Sequence, residues 1–474
     1  MVSHDGNLSG SHFDEVLAVP TLKQILLTGL CAVAAGRPSA APGEQNPERL
    51  RLMIETDAGG DPDDEQSLVR FLLYANEWDI EGIIANRARA REGENLNSER
   101  TGLGIVRRMI EAYAACYTNL VQHDPRYPSP ETLLRRTVSG YSDSEEGVRL
   151  VVNALQREDR RPLWFLNWGT DHGSSPSCLK RALDQILERR GEQAYAALKA
   201  RIRLSSADAF GDHTWKIAPP WALWVDTFNT ELSGRRWYHR FSALTARAGR
   251  FDIDKDVRLN HGPLGALYPT NTTHPQKEGD TMTFMYLIPT GLGDPEEPMW
   301  GSWGGRYGLR DSSGRHYYWA NQSDVWNGGS NRDNTLLRWA IALQNDFKAR
   351  LDWCVKPFNK ANHPPHLVLN GSDGMAVLRL EASPGAFVNF DLSGSSDSDS
   401  DNLSFDCFVY PEAGTWSGSP NLLVKGHTAE LNVPKEAAGK TIHVIVAATD
   451  SGSPPLTRYR RAVVKVRPTT KPSS

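Results

Sequence analysis

Between Leu50 and Leu204, short apolar runs alternate with longer stretches of helical spacing, and this alternation restricts the fold more than any other feature. Leu52-Met53-Ile54 reads as a short buried strand. Residues 64–76 then carry Leu68, Leu72 and Ala75 on one helical face, with Val69 and Leu73 beside it. Residues 80–85 make a second strand, and residues 98–116 place Leu103, Val106, Ile110 and Tyr113 at helical spacing. Residues 145–155 read as another helix, with Asp143 and Ser144 as capping candidates. A strand at 163–166, a helix at 178–187 and a strand at 202–204 continue the series. Repeated β-α-β units predict an α/β fold with a doubly wound, mostly parallel sheet. Such sheets place ligands outside the carboxyl ends of their strands.

Residues 211–329 are less regular and rich in Trp, Gly and Pro, as expected of insertions that shape a cleft on a rigid scaffold. Residues 335–347 read as a closing helix. A break follows at Asn359-Lys360-Ala361-Asn362-His363-Pro364-Pro365, and the pattern then changes. Residues 377–382 and 386–391 alternate with period two; residues 403–410 and 442–448 read as further strands separated by turn residues. This predicts a small all-β sandwich of immunoglobulin size. The expected division is a leader at 1–41, an α/β domain at 42–361 and a sandwich at 362–468.

The leader rests on Lys23 followed by the apolar run Ile25 to Ala35, with Pro38-Ser39-Ala40-Ala41 as a small-residue cleavage region. The polar stretch 1–20 before it is consistent with a misassigned start. A buried N-terminal helix is the alternative. A signal peptide would send the mature chain to the periplasm or beyond, and no later segment reads as a membrane span. The 53 basic and 57 acidic residues leave a net charge of −4 with no basic stripe, which argues against nucleic acid as a partner. Of five cysteines, Cys116, Cys178, Cys354 and Cys407 lie beyond the leader without C-x-x-C spacing, so no zinc pattern exists. One disulfide and isolated thiols both remain open. The oligomeric state is not encoded in any pattern here.

The chemistry concentrates in Asp57-Ala58-Gly59-Gly60-Asp61-Pro62-Asp63-Asp64, between the first strand and the first helix. Four carboxylates within eight residues repel unless a cation or a shared proton holds them. A hard cation such as Ca²⁺ is the natural partner, with a spare Asp as general base toward water. Ordinary helix capping would use one Asp, not four.

The order strand, Asp-x-Gly-x-(x-x)-Asp-Asp, helix resembles the calcium-binding fingerprint of nucleoside hydrolases. Thr56 to Asp64 followed by Ser67-Leu68-Val69-Arg70-Phe71 looks still more like a bacterial exported "cellulose-binding" protein family, which has a nucleoside-hydrolase-like domain and a C-terminal immunoglobulin-like domain. Further matching stretches are Trp78-Asp79-Ile80-Glu81-Gly82, His261-Gly262-Pro263-Leu264-Gly265, Glu278-Gly279-Asp280-Thr281, Trp300-Gly301-Ser302-Trp303-Gly304-Gly305-Arg306 and Asp352-Trp353-Cys354-Val355-Lys356-Pro357. The resemblance implies Asp57 as base and metal ligand, and Asp63 and Asp64 as ligands of metal and ribose hydroxyls, with Asp63 taken as a second catalytic residue. A two-residue insertion adds Asp61, a candidate for substrate contact. His261 matches the distal His of the fingerprint, but Gly262 cannot supply the carboxylate that follows it. Asp280 is the candidate replacement; a solvated turn is its other reading.

Other candidates for substrate contact are Asn86 and Asn167 at strand ends, Trp168 for ring stacking, and Trp303 with Arg306 in a Gly-rich loop. For Trp168, Trp303 and Arg306, packing is the competing reading. Asn86-Arg87-Ala88-Arg89-Ala90-Arg91 reads as a solvated basic loop or as a seat for an anionic group. Asp397, Asp399 and Asp401, alternating with serines, suit a structural Ca²⁺ or a solvated acidic turn. Two functions follow: an exported Ca²⁺-dependent hydrolase of N- or O-glycosidic bonds in a carbohydrate or nucleoside-like small molecule, or a non-catalytic binder of cellulose-like polysaccharide. In a third reading the sandwich is a spacer or adhesion module without its own ligand.

Overall fold

A computed structural model describes residues 48–92, 99–169, 177–207, 218–226, 241, 252–270, 276–310 and 315–469. The leader at 1–41, Thr170, Asp171 and much of the irregular middle lie outside the described residues. Eight strands form the first sheet: β1 (Arg51–Thr56), β2 (Asp79–Ala85), β3 (Thr137–Ser139), β4 (Leu163–Asn167), β5 (Ile202–Ser206), β6 (Trp221–Trp224), β7 (Gly308–Leu309) and β8 (His316–Trp319). Their order is β3-β2-β1-β4-β5-β6-β8-β7. Every neighbouring pair is parallel except the edge pair β7–β8.

This is the expected doubly wound sheet, and side-chain alternation explains it. Leu52 and Ile54 of β1 and Trp164 and Leu166 of β4 enter one core with the helices α1 (Asp63–Leu73) and α2 (Gly102–His123). After the short α3 (Pro130–Arg135), α4 (Glu146–Gln156) and α5 (Cys178–Lys199) cover the opposite face, where Met53, Leu163 and Phe165 point. With both faces buried, the strands must be apolar throughout, which is why they read as continuous runs. α5 runs well past the expected residue 187, with a non-helical break at Gly191. The expected closing helix is two helices, Asn334–Leu337 and Ala340–Trp353. The four described cysteines are free and buried. No described helix is long and apolar enough to cross a membrane.

A small hairpin, β9 (Asp324–Trp326) and β10 (Gly329–Asn331), precedes the all-β region. That region has a four-stranded sheet built of β11 (Leu378–Ala382), β13 (Ser404–Val409), β16 (Thr441–Thr449) and β17 (Thr457–Val466). β12 (Phe387–Asp391), β14 (Asn421–Lys425) and β15 (Thr428–Asn432) form an antiparallel three-stranded sheet, and residues of both sheets share one core. The other face of the larger sheet is not solvated. Tyr410, Ile445, Ala447 and Tyr459 join the α/β core, so the described residues of the two parts make one compact unit.

β17 carries the weld. Its sequence Thr457-Arg458-Tyr459-Arg460-Arg461 does not read as a buried strand, yet Arg461 is 0% exposed. The Arg461 guanidinium donates to the carbonyls of Leu292 (2.6 Å), Trp300 (2.8 Å) and Gly301 (3.1 Å). It also donates to His443 Nδ1 at 3.0 Å, and burial with the Arg461 charge holds that imidazole down at about 3, neutral and able to accept. Arg458 donates to Asp346 Oδ2 at 2.7 Å, while Arg350 and Tyr74 hold Asp346 Oδ1. Burial opposes ionisation of Asp346, but Arg458 and Arg350 prevail and keep its carboxyl at about 2. The chain approaches so closely that a Cβ on Gly291, at φ +81°, would lie 1.8 Å from the Tyr459 carbonyl oxygen.

Because this seam is buried and charged, the α/β and all-β parts should unfold together. Removing one member of a buried ion network costs about 3–5 kcal/mol, so Asp346→Ala should lower the unfolding free energy by that amount, with a lower urea midpoint, while keeping one transition. Two separate transitions in the unsubstituted chain, followed by tryptophan fluorescence and far-UV circular dichroism, would contradict the weld.

Candidate functional site

The strand order runs outward from β1 to β2 and β3 on one side, and from β4 to β8 on the other. The reversal lies between β1 and β4, where an open α/β sheet leaves a crevice at its carboxyl ends. The acidic loop leaves β1 at that point. Asn86 follows β2, and Asn167 ends β4. The Gly60 amide bonds the Asp57 carbonyl at 3.0 Å, closing a turn. Gly59, at φ +93°, packs so closely that a Cβ would stand 2.9 Å from Ile105 Cδ1. Pro62 occupies the N-cap of α1 and no side chain caps it, so the aspartates are not spent on capping.

Five buried or nearly buried aspartates meet here with Glu65 beside them, and the chain treats them unequally. Asp57 Oδ2 accepts from Arg87 Nη2 at 2.7 Å, and the Asp57 carbonyl accepts from Arg87 Nε at 3.1 Å. Asp61 pairs with Lys277. Asp63, Asp64 and Asp280 are left facing one another: one oxygen from each lies within 4.8 Å of the others. Thr56 Oγ1 donates to Asp64, and Asp280 Oδ2 is buried with no hydrogen-bond partner. Burial, then the Asp61 charge, raises the Asp63 carboxyl to about 7. Burial, then Asp63, raises neighbouring Glu65 to about 8. Asp64 and Asp280 are driven well above the carboxylate range, first by burial and then by Asp280 and Asp63 respectively.

Asp280 reaches the loop from more than two hundred residues away because α1 grips its segment. Gln66 Oε1 accepts from the amides of Lys277 (2.7 Å) and Glu278 (3.0 Å). Arg70 forks onto Glu278 at 2.5 and 3.0 Å, and Tyr268, Gln276 and Thr281 complete the ring of donors around that carboxylate. The residues that begin the acidic loop's helix therefore also position Lys277 and Asp280.

The structure sorts the remaining candidates. Asn86 lies at the crevice, its Nδ2 donating to the Gly169 carbonyl at 2.7 Å, and a Cβ on Gly169 would stand 2.6 Å from Asp57 Oδ1. Asn167 Nδ2 donates to Ser206 Oγ at 3.1 Å on the next strand. Trp168 corrects the stacking expectation: it is buried at the sheet–helix junction, packed edge-on to Phe71. Trp303 is likewise buried against Tyr459, and Arg306 is committed to Asp324 Oδ1 (2.8 Å), Gln322 and the Ser323 carbonyl. Both belong to the seam with the all-β region, where Tyr410 also donates to Asp324, and not to a sugar platform. His261 sits 3.4 Å from Asp352, and no described contact joins it to the acidic loop. Asp57 falls outside the group of mutually close oxygens, so the ligand set implied by the fingerprint shifts toward Asp280. Arg87 was read with a solvated run, but it is buried; Arg89 and Arg91 are the exposed members. Lys277 and Glu65 were not anticipated, and only their closeness in the fold reveals them.

The donor set fits a hard cation. It is all oxygen, buried, and includes one carboxylate oxygen that no donor reaches.

Residues 51–307 match the family model described as the cellulose-binding Sde182, nucleoside hydrolase-like domain, and residues 387–466 match the cellulose-binding protein Sde0182, C-terminal domain. Among solved structures, a nucleoside hydrolase-related hypothetical protein from Saccharophagus degradans, associated with carbohydrate metabolism, is 30% identical with a TM-score of 0.69. The match covers 89% of this chain and 100% of that one. Human CDH23 EC21-23 is 14% identical over 24% of this chain and 37% of its own, with a TM-score of 0.18. Mouse PcdhgC3 EC1-3 is 16% identical over 24% and 35%, with a TM-score of 0.15; likenesses that small carry no argument. No curated protein matches.

The raised carboxyls have a thermodynamic consequence. A folded-state pKa above the unfolded value means that the native chain keeps protons which the unfolded chain releases. That stabilisation is complete below the ordinary carboxylate pKa of about 4 and is lost as pH rises through about 7 for Asp63 and about 8 for Glu65. Chelator-treated protein should therefore melt at falling temperature from about pH 5 to about pH 8, at about 1.4 kcal/mol per pKa unit. Asp64→Asn/Asp280→Asn should flatten that fall. A chelated melting temperature that rises over this window would contradict the charge assignment.

Proposed function

The chain belongs to the cellulose-binding Sde182 family, and we propose that it is an exported, calcium-dependent hydrolase of glycosidic bonds in a sugar-containing substrate. The observation that carries this reading is the convergence of Asp63, Asp64 and Asp280 at the topological switch point, with Asp280 Oδ2 left without a donor. These three carboxylates would hold Ca²⁺, and Asp57 would flank them. Ca²⁺ bound there supplies a positive centre for vicinal sugar hydroxyls and for a water beside them. Export is supported by the apolar run 25–35 with its small-residue end.

The chain's own groups supply the proton chemistry. Asp57 and Asp63, the aspartates assigned as base, would take the proton of the attacking water. In the proposed reaction a water oxygen bonds to the anomeric carbon and the C–N or C–O bond breaks, its electron pair leaving with the aglycone. The water's proton passes to the aspartate, and a solvent proton reaches the leaving group. Asn86, fixed beside Asp57 through Gly169, would offer its Oδ1 to a ring hydroxyl.

One observation favours the second reading, non-catalytic polysaccharide binding. Arg87 already occupies an oxygen of Asp57, the residue that the resemblance casts as base. A base tied to a guanidinium suits holding a ligand better than turning it over.

Assays with CaCl₂ on p-nitrophenyl ribosides, other glycosides and oligosaccharides separate the two. Hydrolysis should fall by about 10²–10⁴-fold in Asp57→Ala/Asp63→Ala, the usual worth of general acid–base groups. Equal rates in the two proteins across the panel, with cellulose binding intact, would remove the hydrolase reading and leave the binding one.

A further inference from the structure

A second cluster of acids lies far along the chain, where the linker enters the all-β region. Asp397, Asp399 and Asp401 each turn an oxygen to within 4.8 Å of the others. Two further chain segments are tied to this loop. The linker residue His363 donates its amide to Asp399 Oδ2 at 2.7 Å, and its Nδ1 stands 3.0 Å from the same carboxylate. From the β16–β17 turn, Ser451 Oγ donates to Asp401 Oδ1 at 3.0 Å and accepts from the Asn402 amide at 3.1 Å. The residues next to these two contacts, Asn362 and Asp450, bond each other: Asn362 Nδ2 donates to Asp450 Oδ1 at 2.9 Å.

An acidic loop alone would be a solvated turn. The buried neighbours argue otherwise. Asp450 is 4% exposed and Asn362 6%. Asp450 Oδ1 accepts from Asn362 and from the Gly452 and Leu456 amides, yet Asp450 Oδ2 is buried with no partner. The Asn362 amide nitrogen donates to two acceptors, Asp450 Oδ1 and the Pro454 carbonyl (2.8 Å), which fixes the orientation of the amide. Its Oδ1 is therefore a true oxygen, and it too is buried without a donor. Asp397 repeats the pattern: Oδ1 accepts from the Asp399 and Asp401 amides, while Oδ2 is buried and unpartnered. Among the described residues, His363 is the only basic side chain paired with these four carboxylates.

Asp397, Asp399 and Asp401 are mutually close, and the Asn362–Asp450, His363–Asp399 and Ser451–Asp401 bonds tie two further segments to them. The buried oxygens of those segments, Asn362 Oδ1 and Asp450 Oδ2, are reached by no protein donor, and an oxygen-rich, carboxylate-rich surrounding of this kind suits a hard cation. We propose that Asp397, Asp450 and Asn362, with Asp399 and Asp401, bind a structural Ca²⁺ that fastens the linker to the all-β region. The ion ties the 397–401 loop and the 450–452 turn to Asn362, two residues before the Pro364-Pro365 entry into the sandwich. Close packing leaves no slack at this junction, since a Cβ on Gly452 would lie 2.2 Å from Asn362 Cγ. The ion's role is structural and independent of the carboxylates at the sheet's switch point.

The test removes that other site first. Full-length protein carrying Asp64→Asn/Asp280→Asn is dialysed against chelator and titrated with Ca²⁺ by equilibrium dialysis. It should bind one Ca²⁺ per chain, with a dissociation constant of roughly 10⁻⁴–10⁻³ M as in extracellular modules, and its melting temperature should rise with Ca²⁺. Adding Asp397→Asn/Asp450→Asn should abolish both effects. Should that combination not fold, Asp397→Asn alone is read, and it should weaken binding at least about tenfold through loss of one charged ligand. The proposal is overturned if the Asp64→Asn/Asp280→Asn protein binds no Ca²⁺ up to about 5 mM, beyond that affinity range, or if the junction substitutions leave its binding unchanged. Unsubstituted protein that binds only the ion lost with Asp64 and Asp280 would also overturn this site while leaving the other intact.

Discussion

The buried pair between Arg70 and Glu278 is the interaction on which the site depends. Arg70 lies on the same helix that starts with Asp63 and Asp64, and Glu278 lies two residues before Asp280. The fork at 2.5 and 3.0 Å is backed by the Phe347 ring, 3.7 Å from the guanidinium carbon. Glu278 itself has φ +39°, a backbone state that a non-glycine residue holds only when its surroundings insist. Five donors to one side chain provide that insistence. Lys277 and Asp280 are thereby turned onto the loop, one as the partner of Asp61 and the other as the third carboxylate beside Asp63 and Asp64.

The second constraint is the seam between the two parts of the chain. A helix-covered sheet ordinarily ends its core at its own helices, but here Tyr410, Ile445, Ala447 and Tyr459 continue it into the all-β region. Arg306, Arg338 and Tyr410 surround the buried Asp324, and Arg350 and Arg458 share Asp346. Buried ion pairs contribute little net stability compared with apolar packing, but breaking them is costly, so they serve to fix one arrangement. The tryptophans of the Gly-rich loop are used in this joint. That is why a feature that reads from sequence as a sugar platform is packing in the fold.

What could be read from the sequence follows from where each residue finds its partner. β1, β2 and β4 were legible because strands buried on both faces carry near-continuous apolar runs, Leu52 to Ile54, Ile83 to Ala85 and Leu163 to Leu166. The acidic loop was legible because four like charges in eight residues have few stable explanations. β17 was not, since three arginines in five residues look solvated until the carbonyls of Leu292, Trp300 and Gly301 and the carboxylate of Asp346 are brought to them. Arg87 and Lys277 escaped for the same reason. Their partners, Asp57 and Asp61, lie 30 and 216 residues away, and no local periodicity records such a pairing. Asp280 was within reach only because a carboxylate was missing at Gly262 and one had to be sought elsewhere.

That substitution bears on the chemistry through charge balance. Asp57, Asp61, Asp63, Asp64 and Asp280 would place five negative charges in one crevice, and Arg87 and Lys277 neutralise two of them. The three that remain are those whose oxygens face one another. Left alone, they are forced toward the protonated form by burial and mutual repulsion, as the high positions of Asp63, Asp64 and Asp280 express. A divalent ion with one retained proton balances the same three charges and also uses the oxygen of Asp280 that no donor reaches. In the nucleoside-hydrolase pattern the first aspartate both touches the metal and draws the proton from water. Here Arg87 holds that aspartate, and a carboxylate from a distant segment joins the mutually close group in its place. Under the proposed function, separating those two duties would let the scaffold hold sugar hydroxyls through an ion even without a free base.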